Sequence, residues 1–302
     1  MSSLRNLVGV KIRTWSKWGR PGGGNAGLAS FAAMAIALCV VLSFTLTSTG
    51  SEATTTTIPI FSAIPNPTFP VGTPDSAEPS GDAPPAADAL PGYSESYVTE
   101  FNGSTLPAGW GLFAGQPGGD PGALFGPSHV VVGGGLLRLL TYKDPSFHNQ
   151  WVTGGLCQCG SSQTYGAYFV RSRVSGPGPN EAELLWPVQN IWPPEIDFSE
   201  TGGLTYELSA SLHYGVTNHF AQSFLGINMT KWHTWGVIWT PTSVTYTVDG
   251  QIWGSVAVLS EIPHIPMTLD LEQRTKCSVG QQCPTHPISM EVNWVAEYTP
   301  TQ

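Results

Sequence analysis

The sequence predicts an all-β sandwich for its C-terminal part, residues 93–302, and three observations support this fold class. Apolar and polar residues alternate with a period of two, which is the pattern of half-buried strands. Gly and Pro interrupt the alternating segments at short intervals, as in sandwiches built from short strands. No long segment shows the helical spacing of apolar residues. The segment is also long enough to bury one large core.

The alternating segments define the expected strands in chain order. They are residues 129–132, 136–141, 165–174, 195–200, 208–213, 237–239, 244–248, 251–253 and 290–298. The clearest turn is Asp249-Gly250, because this dipeptide tolerates the positive φ angles of a two-residue hairpin. Trp235 and Trp239 are expected to point into the core of the sandwich.

The N-terminal residues have the composition of an export or anchoring segment. Five of the twelve basic residues stand in residues 1–26, and residues 27–48 contain an unbroken apolar run from Phe31 to Leu42. The run fits the core of a cleaved signal, whereas the whole uncharged segment is long enough to span a membrane as a helix. Both interpretations stay open. Either one places the remaining chain outside the cytoplasm, secreted or anchored to the membrane.

Residues 49–92 resemble a tether rather than a folded element. The stretch from Thr49 to Pro91 contains nine prolines and neither Lys nor Arg. Such a composition buries too little apolar surface to offset the chain entropy lost on folding, so a disordered linker is expected here.

Four cysteines lie in the globular part. Disulfides are expected, because Cys-x-Cys combined with Cys-x5-Cys matches no common zinc spacing. A bridge between Cys277 and Cys283 is compatible with disulfide geometry, and one between Cys157 and Cys159 would be strained. Cross-pairing of the two motifs therefore stays open.

Charge and motifs exclude several classes of function. The chain carries a formal net charge of −9 and no basic stripe, which argues against nucleic acid as a partner. The signatures of zinc proteases, serine hydrolases and phosphate-binding loops are absent from the sequence. We expect a monomer.

Three carboxylates within six residues form the most informative motif. On a regular strand Glu195 and Asp197 share one face, and Glu200 points to the other. An extra residue absorbed near Phe198-Ser199, a β-bulge, would turn Glu200 onto the face of the other two. Glycosidases use two facing carboxyl groups as their catalytic residues, one as nucleophile or base and the other as acid. The alternative interpretation is an exposed acidic edge strand.

Residues 195–200 also resemble the E-x-D-x-x-E signature of glycoside hydrolase family 16, in the bulged form of its laminarinase-like branch. Further segments resemble the family in the family's order, namely residues 100–103, 165–171, 185–187, 232–241, 248–250 and 290–298. The resemblance implies a concanavalin-A-like β-jelly roll with an open cleft for internal cleavage. It also implies a retaining mechanism through a covalent glycosyl-enzyme intermediate, with Glu195 as nucleophile, Glu200 as acid/base and Asp197 as the assisting carboxylate.

The expected substrate is a β-linked polysaccharide, β-1,3- or mixed-linked glucan, cut internally. Two alternatives use the same fold: a transglycosylase that remodels the cell envelope, and a non-catalytic, lectin-like carbohydrate-binding module. Because lectin-like members generally lose a catalytic Glu, the three carboxylates argue against the second alternative.

Aromatic side chains near the acidic strand are candidate sugar contacts, since sugars stack their apolar faces on aromatic rings. Trp186, Trp192 and His213 match cleft positions of the family, and Trp151 is a further candidate. Burial in the core is the alternative for each. Asn293 stands where the family often has an Asp that helps to bind calcium. The resemblance therefore does not support a structural calcium ion, and we expect no cofactor and no metal at the site.

Overall fold

The computed structural model describes residues 12–14, with their backbone alone, 69–118 and 120–301. In them the chain forms a sandwich of two large, mainly antiparallel β-sheets, which confirms the predicted fold class. Within these residues no helix has the length and apolar character needed to cross a membrane. The predicted flank, residues 1–26, lies outside the described residues except for 12–14, and the predicted signal or anchor, residues 27–48, lies outside them entirely. Export and anchoring thus stay predictions.

The strands are numbered in chain order over the described residues. They are β1 (Ile12–Thr14), β2 (Thr73–Pro74), β3 (Asp82–Ala83), β4 (Tyr93–Thr99), β5 (Gly111–Ala114), β6 (Val130–Val132), β7 (Leu137–Asp144), β8 (Gln150–Val152), β9 (Gly155–Cys157), β10 (Gly166–Val174), β11 (Asn180–Pro187), β12 (Glu195–Glu200), β13 (Leu208–Tyr214), β14 (His219–Leu225), β15 (His233–Trp239), β16 (Val244–Val248), β17 (Gln251–Val256), β18 (Met267–Arg274) and β19 (Ile288–Pro300). Three short 3-10 helices are Pro127–His129, Pro145–Phe147 and Cys277–Val279.

The acidic strand β12 lies inside one of the two sheets. This sheet, called the carboxylate sheet, has the order β1-β5-β9-β18-β11-β12-β13-β14. The second sheet has the order β17-β16-β15-β10-β19-β7-β6, with β4 paired to β19 and β8 paired to β7. The acidic strand is therefore two strands away from the β14 edge of its sheet.

The core lies between the two sheets. One face of β12 packs into this core, and only the opposite face can line a cavity. Ile196 and Phe198 of β12 are fully buried in one cluster with Trp235 and Trp239 of the second sheet. Burial of such side chains contributes about 1.5–3 kcal/mol each. The apolar positions of β12 are thus committed to the core, as the alternation in the sequence predicts.

The hairpin between β16 and β17 confirms the predicted turn. Val248 is paired with Gln251, and the two residues between them have positive φ angles, 46° at Asp249 and 77° at Gly250. These angles match the type I′ turn that this dipeptide favours.

Part of the predicted linker belongs to the folded structure, which differs from the sequence prediction. Residues 69–92 contain β2 and β3, and Leu90 is buried with Trp294 of β19. Asp82 pairs with Arg171 of β10 through its side chain and accepts a hydrogen bond from Trp294 Nε1 through its backbone oxygen, at 3.0 Å. The composition of residues 69–92 is poor in apolar residues, so contacts with distant strands hold this segment, and the folded part begins before residue 93.

The same segment, residues 69–92, forms hydrogen bonds with the side chain of Asn293. Asn293 Nδ2 donates to Glu78 Oε2 at 2.8 Å, and its Oδ1 accepts from the backbone N–H of Ser80 at 3.2 Å. Calcium is coordinated by six to eight oxygen atoms. Asn293, with its oxygen already bonded to an N–H, does not fit the role of a calcium ligand. The expectation that the protein has no calcium ion stays a prediction.

The structure pairs each of the four cysteines with its neighbour along the chain, and disulfides in the protein stay a prediction. Cys157 is paired with Cys159, and Cys277 with Cys283, so the structure contains no cross-pairing of the two motifs in its described residues.

Replacing Leu90 with Ala tests whether residues 69–92 belong to the fold. We expect the variant to lose about 2–5 kcal/mol of unfolding free energy, because the substitution opens a cavity against the buried ring of Trp294. Urea unfolding followed by tryptophan fluorescence measures this loss. Leu259→Ala, at a residue that is 62% exposed, is the matched control. Equal stability of the two variants would show that the segment is a free tether.

Candidate active site

A β-bulge in β12 sets the direction of Glu200. On the β13 side, Asp197 is paired with Ser211 and Glu200 with Ser209, so three steps along β12 match two steps along β13. The pairing with β11 shifts by one residue at the same place. The extra residue is Phe198, which stays in the core. The predicted bulge is confirmed, and it places Glu200 on the face of the other two acids.

The three carboxylates line one cavity of about 340 Å³. Glu195 and Asp197 are buried, and the side chain of Glu200 is 23% exposed. The structure therefore brings together the three acidic residues that the sequence predicts as catalytic. Other residues that line the cavity include Asn180, Trp192, His213, Asn218, Phe220 and Arg274.

Two aromatic residues hold the buried pair of acids. Trp192 Nε1 donates a hydrogen bond to Glu195 Oε2 at 2.6 Å. His213 Nε2 lies 3.4 Å from Asp197 Oδ2, and its Nδ1 is hydrogen-bonded to Asn218 Oδ1 at 2.8 Å. Trp192 and His213, both predicted as substrate contacts, thus lie in the cavity and also fix the acids.

Glu200 is held by a different set of donors. Asn180 Nδ2 donates to Glu200 Oε1 at 2.7 Å, and Arg274 Nη2 lies 3.6 Å from the same oxygen. Arg274 also pairs with Asp120 and Glu272, at 3.4 Å and 2.9 Å. One oxygen of Glu200 is therefore anchored by this chain, and the Arg274 guanidinium balances several acids at once.

Burial controls the protonation of this cluster. Burial, reinforced by the charge of Asp197, raises the pKa of Glu195 to about 8. Burial also raises the pKa of Asp197 to about 6, although its hydrogen bond with His213 acts in the opposite direction. Burial lowers the pKa of His213, but the hydrogen bond and charge of Asp197 outweigh it and raise this pKa to about 9. The imidazole is therefore a cation at neutral pH, beside two carboxyls that titrate as a pair.

The same three residues could offer ligand atoms to a metal ion. One atom each from Glu195, Asp197 and His213 lies within 4.8 Å of the others. A metal would bind the neutral imidazole of His213, so its binding would be coupled to release of the proton on that ring. The expectation of no metal at the site stays a prediction.

Trp186 is close to the site in the sheet but does not line the cavity. It is 8% exposed, packs with Ala182 and Leu184, and donates from Nε1 to Asn190 Oδ1 at 2.9 Å. The structure thus gives Trp186 a packing role beside the cavity and does not place it as a cavity wall.

Trp151 lies away from the carboxylates. It is on β8 and lines a second groove of about 670 Å³ with Tyr142, Lys143 and His286. The Lys143 Nζ atom is 5.6 Å from the centre of the Trp151 ring. Trp151 therefore does not line the cavity that contains the three acids, and its contact with substrate stays a prediction.

Several cavity residues were not predicted from the sequence. Asn180 and Arg274 are directly paired across β11 and β18, although residues 267–272 of β18 alternate between apolar and polar in the sequence. The position of both side chains beside Glu200 depends on the register between the strands, and a single sequence does not reveal this register. Phe220 did have a signal, since Phe, Gln and Phe alternate along residues 220–224.

Comparison with known proteins identifies a family. The model of the glycosyl hydrolases family 16 matches residues 123–295. No curated protein sequence matches the chain.

Solved structures share the fold at low sequence identity. The laminarinase from Rhodothermus marinus has 19% identity and a TM-score of 0.62, and the match covers 70% of this chain and 98% of that chain. The laminarinase catalytic domain from Thermotoga maritima has 16% identity and a TM-score of 0.60, covering 70% and 99%. LamA from Z. galactanivorans, in complex with laminaritriose and laminaritetraose, has 16% identity and a TM-score of 0.60, covering 68% and 98%.

Replacing His213 with Ala tests the electrostatics of the cluster. We expect the pKa values of Glu195 and Asp197 to rise further, because the cation that stabilises both ionised carboxylates is removed. Carbon-13 NMR titration of labelled Glu and Asp carboxyls measures the shift, with Glu195→Gln to assign the signal. His219→Ala, on the neighbouring strand, is the control. A downward shift, or none, would contradict the described network.

Proposed function

The chain belongs to glycosyl hydrolase family 16 and is a glycoside hydrolase, and we propose that it cuts β-1,3- or mixed-linked β-glucan internally with retention of configuration. The observation that carries the proposal is the alignment of Glu195, Asp197 and Glu200 on one face of a bulged strand, along one cavity. The similar structures named above support the choice of glucan, since two are laminarinases and LamA contains bound laminaritriose and laminaritetraose.

The proposed first step forms a covalent bond to the enzyme. Glu195, as carboxylate, attacks the anomeric carbon, and Glu200, as carboxylic acid, gives its proton to the leaving glycosidic oxygen. In the second step Glu200 takes a proton from water, and the water oxygen displaces Glu195 from the anomeric carbon. Two inversions give net retention of the β-configuration.

The surroundings of Glu195 fit the role of a nucleophile whose ionisation is controlled by its neighbours. The Trp192 N–H, the His213 cation and the Arg274 guanidinium all favour the ionised form, against the burial that raises its pKa from 4.5 to about 8. Because the reacting form needs Glu195 ionised, the acid limb of the pH–rate profile lies above the ordinary range of a carboxyl. Asp197 pairs with His213 through its Oδ2 atom and keeps this cation beside the nucleophile.

Two other activities would use the same residues. A transglycosylase would pass the glycosyl group from Glu195 to a sugar hydroxyl in place of water. A lectin-like module would bind glucan without cleaving it. The hydrolase is preferred over the lectin because all three acids are present and lie on one face.

Digestion of laminarin and of mixed-linked glucan tests the proposal. We expect new reducing ends from internal cuts and, by proton NMR, a first product with β-configuration. Glu200→Ala should lose roughly 10²- to 10⁴-fold in kcat, the contribution of a positioned general acid, and Glu195→Ala should abolish hydrolysis, because the covalent intermediate cannot form. Glu207→Gln, at an exposed acid, is the control and should keep full activity.

Azide rescue assigns the two roles. With an activated aryl laminaribioside, azide should restore turnover of Glu200→Ala as the β-glycosyl azide, because the covalent intermediate still forms. With Glu195→Ala it should give the α-glycosyl azide by direct displacement. The reverse assignment of azide products would exchange the two roles. Binding of laminarin without new reducing ends would leave the lectin-like alternative instead.

A further inference from the structure

The edge strand β14 presents two exposed phenylalanines on one of its faces. Phe220 is 58% exposed and Phe224 is 65% exposed, with Gln222 between them. The alternate residues Ala221 and Leu225 pack against the sandwich core. Since side chains alternate along a strand, Phe220, Gln222 and Phe224 face away from the core, on the side of the cavity. These three residues are called the Phe220–Phe224 platform.

Strand register aligns the platform with the catalytic acids. Glu195 is paired with His213, and His213 with Phe220 on the next strand. By the same pairing, Gln222 is aligned with Asp197 through Ser211, and Phe224 with Glu200 through Ser209. Two interstrand spacings place the platform roughly 10 Å from the catalytic strand. Each platform residue therefore continues a row that starts at one of the acids.

Ring contacts make one of these rows continuous. The centroids of Trp192 and His213 are 5.7 Å apart, and those of His213 and Phe220 are 5.9 Å apart. The middle row is joined by a hydrogen bond, since Gln222 Nε2 donates to Ser211 Oγ at 3.0 Å. Phe220 and Gln222 also line the cavity that holds the acids. The platform is thus a continuation of the catalytic surface and not an isolated apolar patch.

We propose that the Phe220–Phe224 platform is a distal subsite that binds sugar rings of a β-glucan chain beyond the residues at the scissile bond. This inference rests on the proposed function. Pyranose rings have apolar C–H faces that stack on aromatic rings, and Phe supplies a ring without a polar group that would have to lose water. The subsite makes affinity depend on chain length, because only a chain long enough to cross β13 reaches it.

The test measures binding separately from turnover. In the full chain with Glu200→Gln, the Kd of laminarihexaose is measured by calorimetry, and Phe220→Ala and Phe224→Ala are added singly and together. Each should weaken binding by roughly 3- to 10-fold, the factor expected for the loss of one aromatic contact. Phe224→Tyr, which keeps the ring, should retain the affinity. In the active enzyme Phe224→Ala, at a residue that does not line the cavity of the acids, should raise KM for laminarin and leave kcat within about twofold.

Ile252→Ala is the matched control, because Ile252 is 57% exposed and lies in the second sheet. An unchanged Kd in both Phe variants, with laminarin still hydrolysed, would refute the proposal that the platform binds sugar rings. The proposed function would not be affected. An unchanged Kd together with a change from dimer to monomer on gel filtration would show that the phenylalanines form a protein contact. If the parent protein neither binds nor cleaves any β-glucan, both proposals fail.

Discussion

The single extra residue in β12 is the constraint on which the site depends. Phe198 remains in the core, and the shift of register that it causes turns Glu200 to the side of Glu195 and Asp197. Without the bulge, the period of two would direct Glu200 between the sheets, where a carboxylate has no solvent and few partners. The same strand therefore packs the sandwich with its apolar residues and presents three acids to one cavity.

Crowding these acids is electrostatically unfavourable, and the structure offsets it with cations and protons. His213 lies beside Asp197, and Arg274 lies among Glu200 and two further acids. On β11, burial raises the pKa of Glu183 well above its ordinary value, and its Oε1 accepts a hydrogen bond from Ser172 Oγ at 2.5 Å. A buried acid of this kind is accommodated in its neutral form. The low dielectric that favours protonation also strengthens each remaining ion pair.

The sequence was sufficient to predict those structural features that depend only on residues close together in the chain. Alternation predicted the acidic strand, the parity of the motif predicted the bulge, and Asp249-Gly250 predicted the hairpin. It was insufficient where distant strands meet. Arg274 reaches Glu200 through the pairing of β18 with β11, and Leu90 is buried in one cluster with Trp294 of β19. Trp151 lines a different groove for the same reason, since the sequence around it does not give the position of its strand in the fold.

The central claim is that the bulge gives the two glutamates opposite roles at one glycosidic bond. An activated 2-deoxy-2-fluoro laminaribioside forms the covalent intermediate quickly and releases it slowly, so peptide mass spectrometry of the labelled protein tests this claim most directly. We predict one equivalent of label, attached to Glu195, and unchanged labelling of that residue in Glu200→Ala. Label on Glu200, or the absence of any covalent adduct under conditions in which laminarin is hydrolysed, would contradict the account.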